Sequence, residues 1–317
     1  MSEPWTPIER ELAEQMRGND IISVRQFRPQ ELRTLLSIIE RFEGDQAGLL
    51  RGKVLAALFF EPSTRTRLSF ESAMARLGGG VIGFANAGIS SAAKGETLQD
   101  TIRIVENYCD LFVIRHPHEG SARAAANATV LPVINGGDGS NQHPTQTLLD
   151  LYTIKRRLGR TTQLRIGFVG DLKYGRAAHS LVQATAMLGN DLVLIAPTSL
   201  RLPKRHMAEL DVLNASYEET ADLPNAIPTL DVLYVTRIQR ERFADPLNYE
   251  RVKNVYQINR AAVDTGKNEL IVMHPLPRVN EIHPDVDASP RAAYFDQAKN
   301  GVTVRKALLA LLMGAVR

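Results

Sequence analysis

The chain alternates, almost from end to end, between short apolar runs and stretches whose apolar residues recur at helical spacing. The runs are KVLAALFF from Lys53, VIGFA from Val81, LFVIR from Leu111 and LPVIN from Leu131, then RIGFVGD from Arg165, DLVLIAP from Asp191, LDVLYVTR from Leu230, NVYQIN from Asn254 and ELIVMHP from Glu269. Between them lie segments of 3.6-residue period: Leu32, Leu35, Leu36 and Ile39 behind Pro29, then Phe70, Ala73, Met74 and Leu77. Further helices are expected from Thr97, from Ser121, from Pro144 towards Lys155, from about Arg176 and after Pro203. A last apolar helix has Val304, Leu308, Leu311 and Leu312 in phase. A strand buried on both faces reads as a continuous apolar run, and parallel neighbours need a crossover, usually a helix. The pattern therefore predicts an α/β protein built on parallel sheets with right-handed connections.

A chain of 317 residues is long enough for two domains, each with its own parallel sheet flanked by helices. The strongest break in composition is Gly136-Gly137-Asp138-Gly139-Ser140-Asn141-Gln142. It sets a first domain at residues 1–143 and a second at 144–299, with a terminal helix over about 300–317.

Several classes of function are disfavoured by composition. No apolar run approaches the roughly 18 residues that span a bilayer, and the opening MSEPWTPIERELAEQ is acidic with no apolar core, unlike a secretory signal. A cytoplasmic location without a membrane partner is the expectation. Lys and Arg number 38 against 35 Asp and Glu, a net charge of +3 that is scattered along the chain, so nucleic acid is not an expected partner, whereas anionic small molecules are. The single cysteine, Cys109, is in phase with Leu98, Ile102 and Val105 and reads as core; no intramolecular disulfide can form. The seven histidines show no HExxH spacing, and His116 and His118 lack ligand partners at suitable spacing, so no metal is expected.

Polar clusters stand directly after the apolar runs, where open parallel sheets place their ligands. Ser63, Thr64, Arg65 and Thr66 fall in a strand-to-helix turn, where unpaired N–H groups and the helix dipole favour an anion. The phosphate loop GxxxxGK[ST] is absent. Arg115 ends LFVIR, His143 and Gln146 open a helix behind the glycine-rich stretch, and Lys94 lies in the loop Gly88–Glu96. In the second half GDLKYGR ends on Arg176, TRIQRER carries Arg237, Gln239 and Arg242, and HPLPR contains Pro275 and Leu276. Gly167, Gly170 and Gly175 do not make the GxGxxG fingerprint, and Lys173 and Arg176 intrude, so a dinucleotide-binding reading rests on the alternating architecture alone. Taken singly, most of these residues have ordinary alternatives: a helix cap at Ser63, a strand-end arginine, a solvated loop lysine, a turn histidine.

The whole string STRTR behind an apolar strand resembles the carbamoyl-phosphate site of the aspartate and ornithine carbamoyltransferases. With HPTQTLLD, GDLKYGR and HPLPR in order, the resemblance runs from about Ile21 to the last helix. It implies that this helix packs back on the first domain, and that no cofactor is used. It further implies that Ser63, Thr64, Arg65 and Thr66 hold the phosphate, that Arg115 and His143 donate to the carbamoyl oxygen, and that Gln146 contacts the carbamoyl nitrogen. The backbone carbonyls of Pro275 and Leu276 would receive that nitrogen and the attacking amine. Arg176 would take the α-carboxylate of L-aspartate, and Arg237 with Gln239 its side-chain end. Lys94 and a serine four residues before it, Ser90 or the adjacent Ser91, would reach into a neighbouring subunit's site, which makes a homotrimer the expected active form. Ornithine-specific members carry His-Cys-Leu-Pro where this chain has His274-Pro275-Leu276-Pro277, so the dicarboxylate acceptor is favoured.

The implied reaction is carbamoyl transfer from carbamoyl phosphate, which binds first, to the α-amine of L-aspartate, an early step of pyrimidine biosynthesis. Thr66, Arg115 and His143 would stabilise the oxyanion without a covalent enzyme intermediate. A different amine acceptor, a non-catalytic structural homologue and a nicotinamide dehydrogenase are the competing readings. The sequence leaves open a regulatory chain or a dihydroorotase as a further partner.

Overall fold

The computed structural model describes residues 4–86, 88, 94–239, 243 and 245–316, and its chain divides into two compact units. The first contains Met1–Leu149 together with Lys299–Arg317, and the second Asp150–Ala298. The division falls inside the helix Pro144–Leu158, while the glycines Gly136 and Gly137 lie within a strand.

In the first unit the strands are β1 (Val54–Phe59), β2 (Gly80–Phe84), β3 (Leu111–His116) and β4 (Val133–Asp138). They pair in parallel in the order β2-β1-β3-β4. Ala56, Leu58, Phe112, Ile114 and Val133 form one continuous core with Ile102, Ala122 and Ala125 of the flanking helices Leu98–Val105 and Ser121–Ala126. At the β2 edge Gly83 has a φ of 141°, and a Cβ there would lie 2.1 Å from the Ala57 carbonyl oxygen, so only glycine lets the two strands approach.

The last helix, Tyr294–Leu312, joins this unit through its second half, as the resemblance implied. Val304, Leu308, Leu311 and Leu312 are all buried, each worth about 1.5–3 kcal/mol of apolar burial. Polar bonds add to this: Lys306 Nζ donates to Gly44 O and Gln46 Oε1, both at 2.9 Å. The Arg305 guanidinium lies 4.9 Å from the Phe70 ring centre.

The second unit holds β5 (Arg165–Val169), β6 (Asp191–Ile195), β7 (Tyr217–Thr220), β8 (Val232–Val235) and β9 (Ile271–Met273). The sheet is parallel throughout, ordered β7-β6-β5-β8-β9, over a core that includes Val169, Ile195, Leu233, Val235 and Val272. The α/β class with two parallel sheets is thus borne out, with two differences in detail. NVYQIN is no ladder strand: Ile258 makes a single bridge to Ile282, and Val255 points outward. The fifth strand is instead β7, whose polar YEET is half exposed at the sheet edge and carries no apolar signature. Among the described residues no helix is long and apolar enough to cross a membrane.

Candidate active site

Strand order explains why polar residues gather where they do. In the first sheet the chain leaves β1, forms β2 on one side and then crosses to form β3 on the other, so the carboxyl ends of β1 and β3 flank the switch point. In the second sheet β5 is central, with β6 and β7 to one side and β8 and β9 to the other. Ser63–Thr66 lie where the chain passes from β1 into the next helix, and Arg115 near the end of β3 itself; Arg176 opens the helix after β5, and Arg237 follows β8.

In the first unit the helix Thr64–Arg76 begins directly after Ser63, whose side chain makes no capping bond. The simple helix-cap role for Ser63 is therefore not filled, and Thr64, Arg65 and Thr66 form the first turn, where backbone N–H groups have no intrahelical acceptor. Arg67, one residue on, faces Glu71 at 3.5 Å and belongs to the helix surface. Thr66 and His143 are both buried, with Thr66 Oγ1 3.5 Å from His143 Nε2. Arg115 donates to Glu61 Oε1 at 3.2 Å and to Gly136 O at 3.4 Å, which holds its guanidinium at the end of β3. Gln146 lies in the first turn of the helix that His143 precedes. Thus the structure brings together the β1 turn, Arg115 and His143. Lys94 is exposed. Ser90 and Ser91, like Arg242, lie outside the described residues.

One organiser of this half went unremarked in the sequence. Asp138, buried at the end of β4, accepts from Gly120 N at 2.8 Å, Asn135 Nδ2 at 2.9 Å and Gln142 N at 3.1 Å. It folds the glycine-rich stretch into the turn that delivers His143. The available signal was an acid in the middle of a glycine-rich run. His116 is drawn below the ordinary histidine range by burial and by neighbouring His118, and among the described residues no group of three or more His, Cys, Asp or Glu could hold a metal.

In the second unit Arg176 opens the helix Arg176–Met187, and Arg237 and Gln239 follow β8. Gly170, Thr236 and Arg237 line one small cavity together with Lys253, Asn280 and Glu281. Gly170 has a φ of 115°, and a Cβ there would stand 2.3 Å from Thr236 O, so glycine allows the ends of β5 and β8 to close on each other. Asp171 is buried, its Oδ1 accepting from Lys173 N at 3.1 Å and Tyr174 N at 2.9 Å. Burial raises its carboxyl above the ordinary aspartate range, against the lowering effect of those N–H groups. It shapes the turn that ends at Arg176; the signal for it was an acid directly behind an apolar strand. In the HPLPR loop the Leu276–Pro277 bond is cis, and Leu276 has a φ of 53°.

Two family models match the chain: the aspartate/ornithine carbamoyltransferase carbamoyl-P binding domain over residues 19–156, and the Asp/Orn binding domain of the same family over residues 162–312. The chain is 58% identical over 305 residues to the aspartate carbamoyltransferase catalytic subunit of Thermococcus onnurineus, covering 95% of this chain and 98% of that one. Among solved structures it resembles the catalytic subunit of M. jannaschii aspartate transcarbamoylase, with a TM-score of 0.86, 49% identity and coverage of 93% and 98%. It is also similar to the Trypanosoma cruzi aspartate transcarbamoylase in complex with carbamoyl phosphate and aspartate, with a TM-score of 0.89, 36% identity and coverage of 94% and 98%.

Proposed function

This chain belongs to the aspartate/ornithine carbamoyltransferase family, and from that membership we infer that it transfers the carbamoyl group of carbamoyl phosphate to the α-amine of L-aspartate, giving N-carbamoyl-L-aspartate and phosphate. The observation that carries the reading is the placement of two cationic clusters at two topological switch points, one per sheet, with the β1 turn left uncapped by Ser63. Such turns suit a phosphate, and planar guanidinium groups suit carboxylates.

In this reading Ser63, Thr64, Arg65 and Thr66 bind the phosphate, Arg115 and His143 face the carbamoyl oxygen and Gln146 the carbamoyl nitrogen, all in the unit that holds carbamoyl phosphate. Arg176, Arg237 and Gln239 bind aspartate in the other unit, beside the carbonyls of Pro275 and Leu276. The neutral amine attacks the carbonyl carbon. A carbon–nitrogen bond forms, the carbon–oxygen bond to phosphate breaks, and a departing phosphate oxygen accepts the amine proton. Thr66, Arg115 and His143 hold the oxyanion between the two events. Lys94 is exposed, as a side chain offered to a neighbouring subunit must be, and a homotrimer with Ser90 and Lys94 shared across subunits completes the reading. A cytoplasmic location and a role in pyrimidine biosynthesis go with it.

The test is product formation by the purified chain from carbamoyl phosphate with aspartate or ornithine as acceptor. Carbamoyl aspartate is the expected product; turnover with ornithine and not aspartate would refute the acceptor assignment. Arg237→Ala is expected to raise the aspartate KM strongly while leaving inorganic phosphate binding unchanged, because Arg237 belongs to the other unit.

A further inference from the structure

Leu276 holds a conformation that a branched side chain avoids. Its φ of 53° is in the left-handed region, which is unfavourable for an L-residue and persists where the surroundings impose it. The imposing group is His274. Leu276 N donates to His274 Nδ1 at 2.8 Å, so that nitrogen must carry a lone pair and the ring proton must sit on Nε2. Nε2 lies 2.8 Å from Glu281 Oε1, and both side chains are buried. The other Glu281 oxygen accepts from Val279 N and Asn280 N, each at 3.1 Å. Burial works to raise the Glu281 carboxyl, but the bonds from His274 and the backbone outweigh it, and the group stays below the ordinary glutamate range as an acceptor.

The pair is anchored from behind and faces a functional wall in front. His274 N donates to Gln297 Oε1 at 2.9 Å, Gln297 Nε2 donates to Asp150 Oδ1 at 2.6 Å, and Tyr234 Oη donates to Asp150 Oδ2 at 2.8 Å, all of them buried. Tyr234 belongs to β8, which ends two residues before Arg237. Glu281 lines the same cavity as Arg237, Thr236 and Gly170. The histidine that sets the Leu276 backbone is therefore tied to the elements that position the aspartate-binding arginine.

We propose that His274 and Glu281 are a positioning pair: together they hold the Leu276 carbonyl at a fixed angle, so that it accepts one N–H of the attacking amine and aims the amine's lone pair. The assignment rests on the carbamoyl-transfer reading above. Neither residue touches the reacting atoms. Their effect is on alignment, where a displacement of about 1 Å can cost around 100-fold in rate.

Two substitutions at one position separate alignment from packing. Asparagine at 274 can present an oxygen near the Nδ1 position and still accept from Leu276 N–H, whereas glutamine reaches the Nε2 position, can donate to Glu281 and leaves Leu276 N–H without its acceptor. In the full-length protein, His274→Gln is expected to lower kcat about 10–100-fold, with the aspartate KM within about threefold of wild type and phosphate affinity unchanged. His274→Asn keeps the acceptor for Leu276 N–H but loses the bond to Glu281, so its kcat should fall clearly less than that of His274→Gln, staying within about 10-fold of wild type. Glu281→Gln turns an amide NH2 towards the backbone donors of Val279 and Asn280 and should lower kcat about 10-fold with the same KM pattern, providing a second route if His274→Gln does not fold. Thermal midpoints accompany each measurement. Equal losses in His274→Gln and His274→Asn would reduce the pair to a packing role and overturn the proposal, as would an unchanged kcat in Glu281→Gln. A wild-type chain that forms no carbamoyl aspartate overturns the carbamoyl-transfer reading itself, whereas variants that match an active wild type overturn the positioning pair alone.

Discussion

Gly170→Ala offers the sharpest test of how β5 and β8 shape the proposed aspartate side. Two costs combine at this position. The φ of 115° is one that L-residues rarely adopt, a penalty of about 1–2 kcal/mol. An added Cβ would also stand 2.3 Å from the Thr236 carbonyl oxygen and 2.7 Å from its Oγ1. Neither side can yield easily, because Thr236 N and Oγ1 both donate to Val169 O, at 2.8 and 3.0 Å, and Gly170 N donates to Ile195 O at 3.2 Å. Forcing such a contact into packed structure costs about 1–3 kcal/mol more. The sum is about 2–5 kcal/mol. Gly189→Ala is the control: its φ is 74°, but no atom lies within 4 Å of the added Cβ, so only the first cost, about 1–2 kcal/mol, applies. Urea denaturation of both variants reads the difference. Gly170→Ala should also raise the aspartate KM roughly 10-fold or more, since Thr236 precedes Arg237 and Gly170 opens the turn that ends at Arg176, with phosphate binding intact. Equal stability losses in the two variants would refute the claim that close approach, and not backbone conformation alone, requires glycine at 170.

Lys94→Ala and Arg237→Ala proteins, each strongly impaired alone at an aspartate concentration near the wild-type KM, should regain part of the wild-type activity when mixed and allowed to exchange subunits, because some assembled sites would then contain neither substitution; no recovery would refute the sharing of Lys94. The raised Asp171 carboxyl gives a pH signature. Since folding favours its protonated form, its contribution to stability is fully present below the ordinary aspartate pKa and is lost as pH rises through the higher folded value. The stability of wild type relative to Asp171→Asn should therefore fall as pH rises above the ordinary aspartate pKa of about 4, and a relative gain over that rise would contradict the assignment.

What could be read from the sequence followed burial. β1, β3, β5, β6, β8 and β9 have buried residues along most of their length and stand out as apolar runs. β7 stayed invisible because an edge strand needs only backbone pairing on one side, and Tyr217-Glu218-Glu219-Thr220 meets that need without apolar residues. NVYQIN misleads in the opposite way: Tyr256 and Ile258 are buried as strand residues would be, yet their segment connects two helices and pairs at one bridge only. Apolar periodicity reports what a residue packs against, and the hydrogen-bond ladder must be settled by its neighbours.

The same distinction separates the site residues that sequence reasoning found from those it missed. Thr66, Arg115, His143, Arg176 and Arg237, the candidate site residues, stand at or beyond strand ends in strings whose chemistry is legible because hydroxyls and cations suit an anion. Asp138, Asp171, His274 and Glu281 carry no such signature, since each meets only the protein's own backbone or another buried side chain. Their roles come from desolvation: a buried carboxylate or imidazole is costly unless hydrogen-bonded, and the donors here include N–H groups of the loops after β4, β5 and β9; among the described residues Asp171 Oδ2 has no hydrogen-bond partner, in keeping with the raised Asp171 carboxyl. A loop whose backbone donors are committed to a buried acceptor is held in place, so the cost of burying these four groups is offset by rigidity at loops proposed to bind the substrates. Preorganisation of this kind requires that the acceptor be inaccessible to water, which is why it is read from burial and partners and not from residue type.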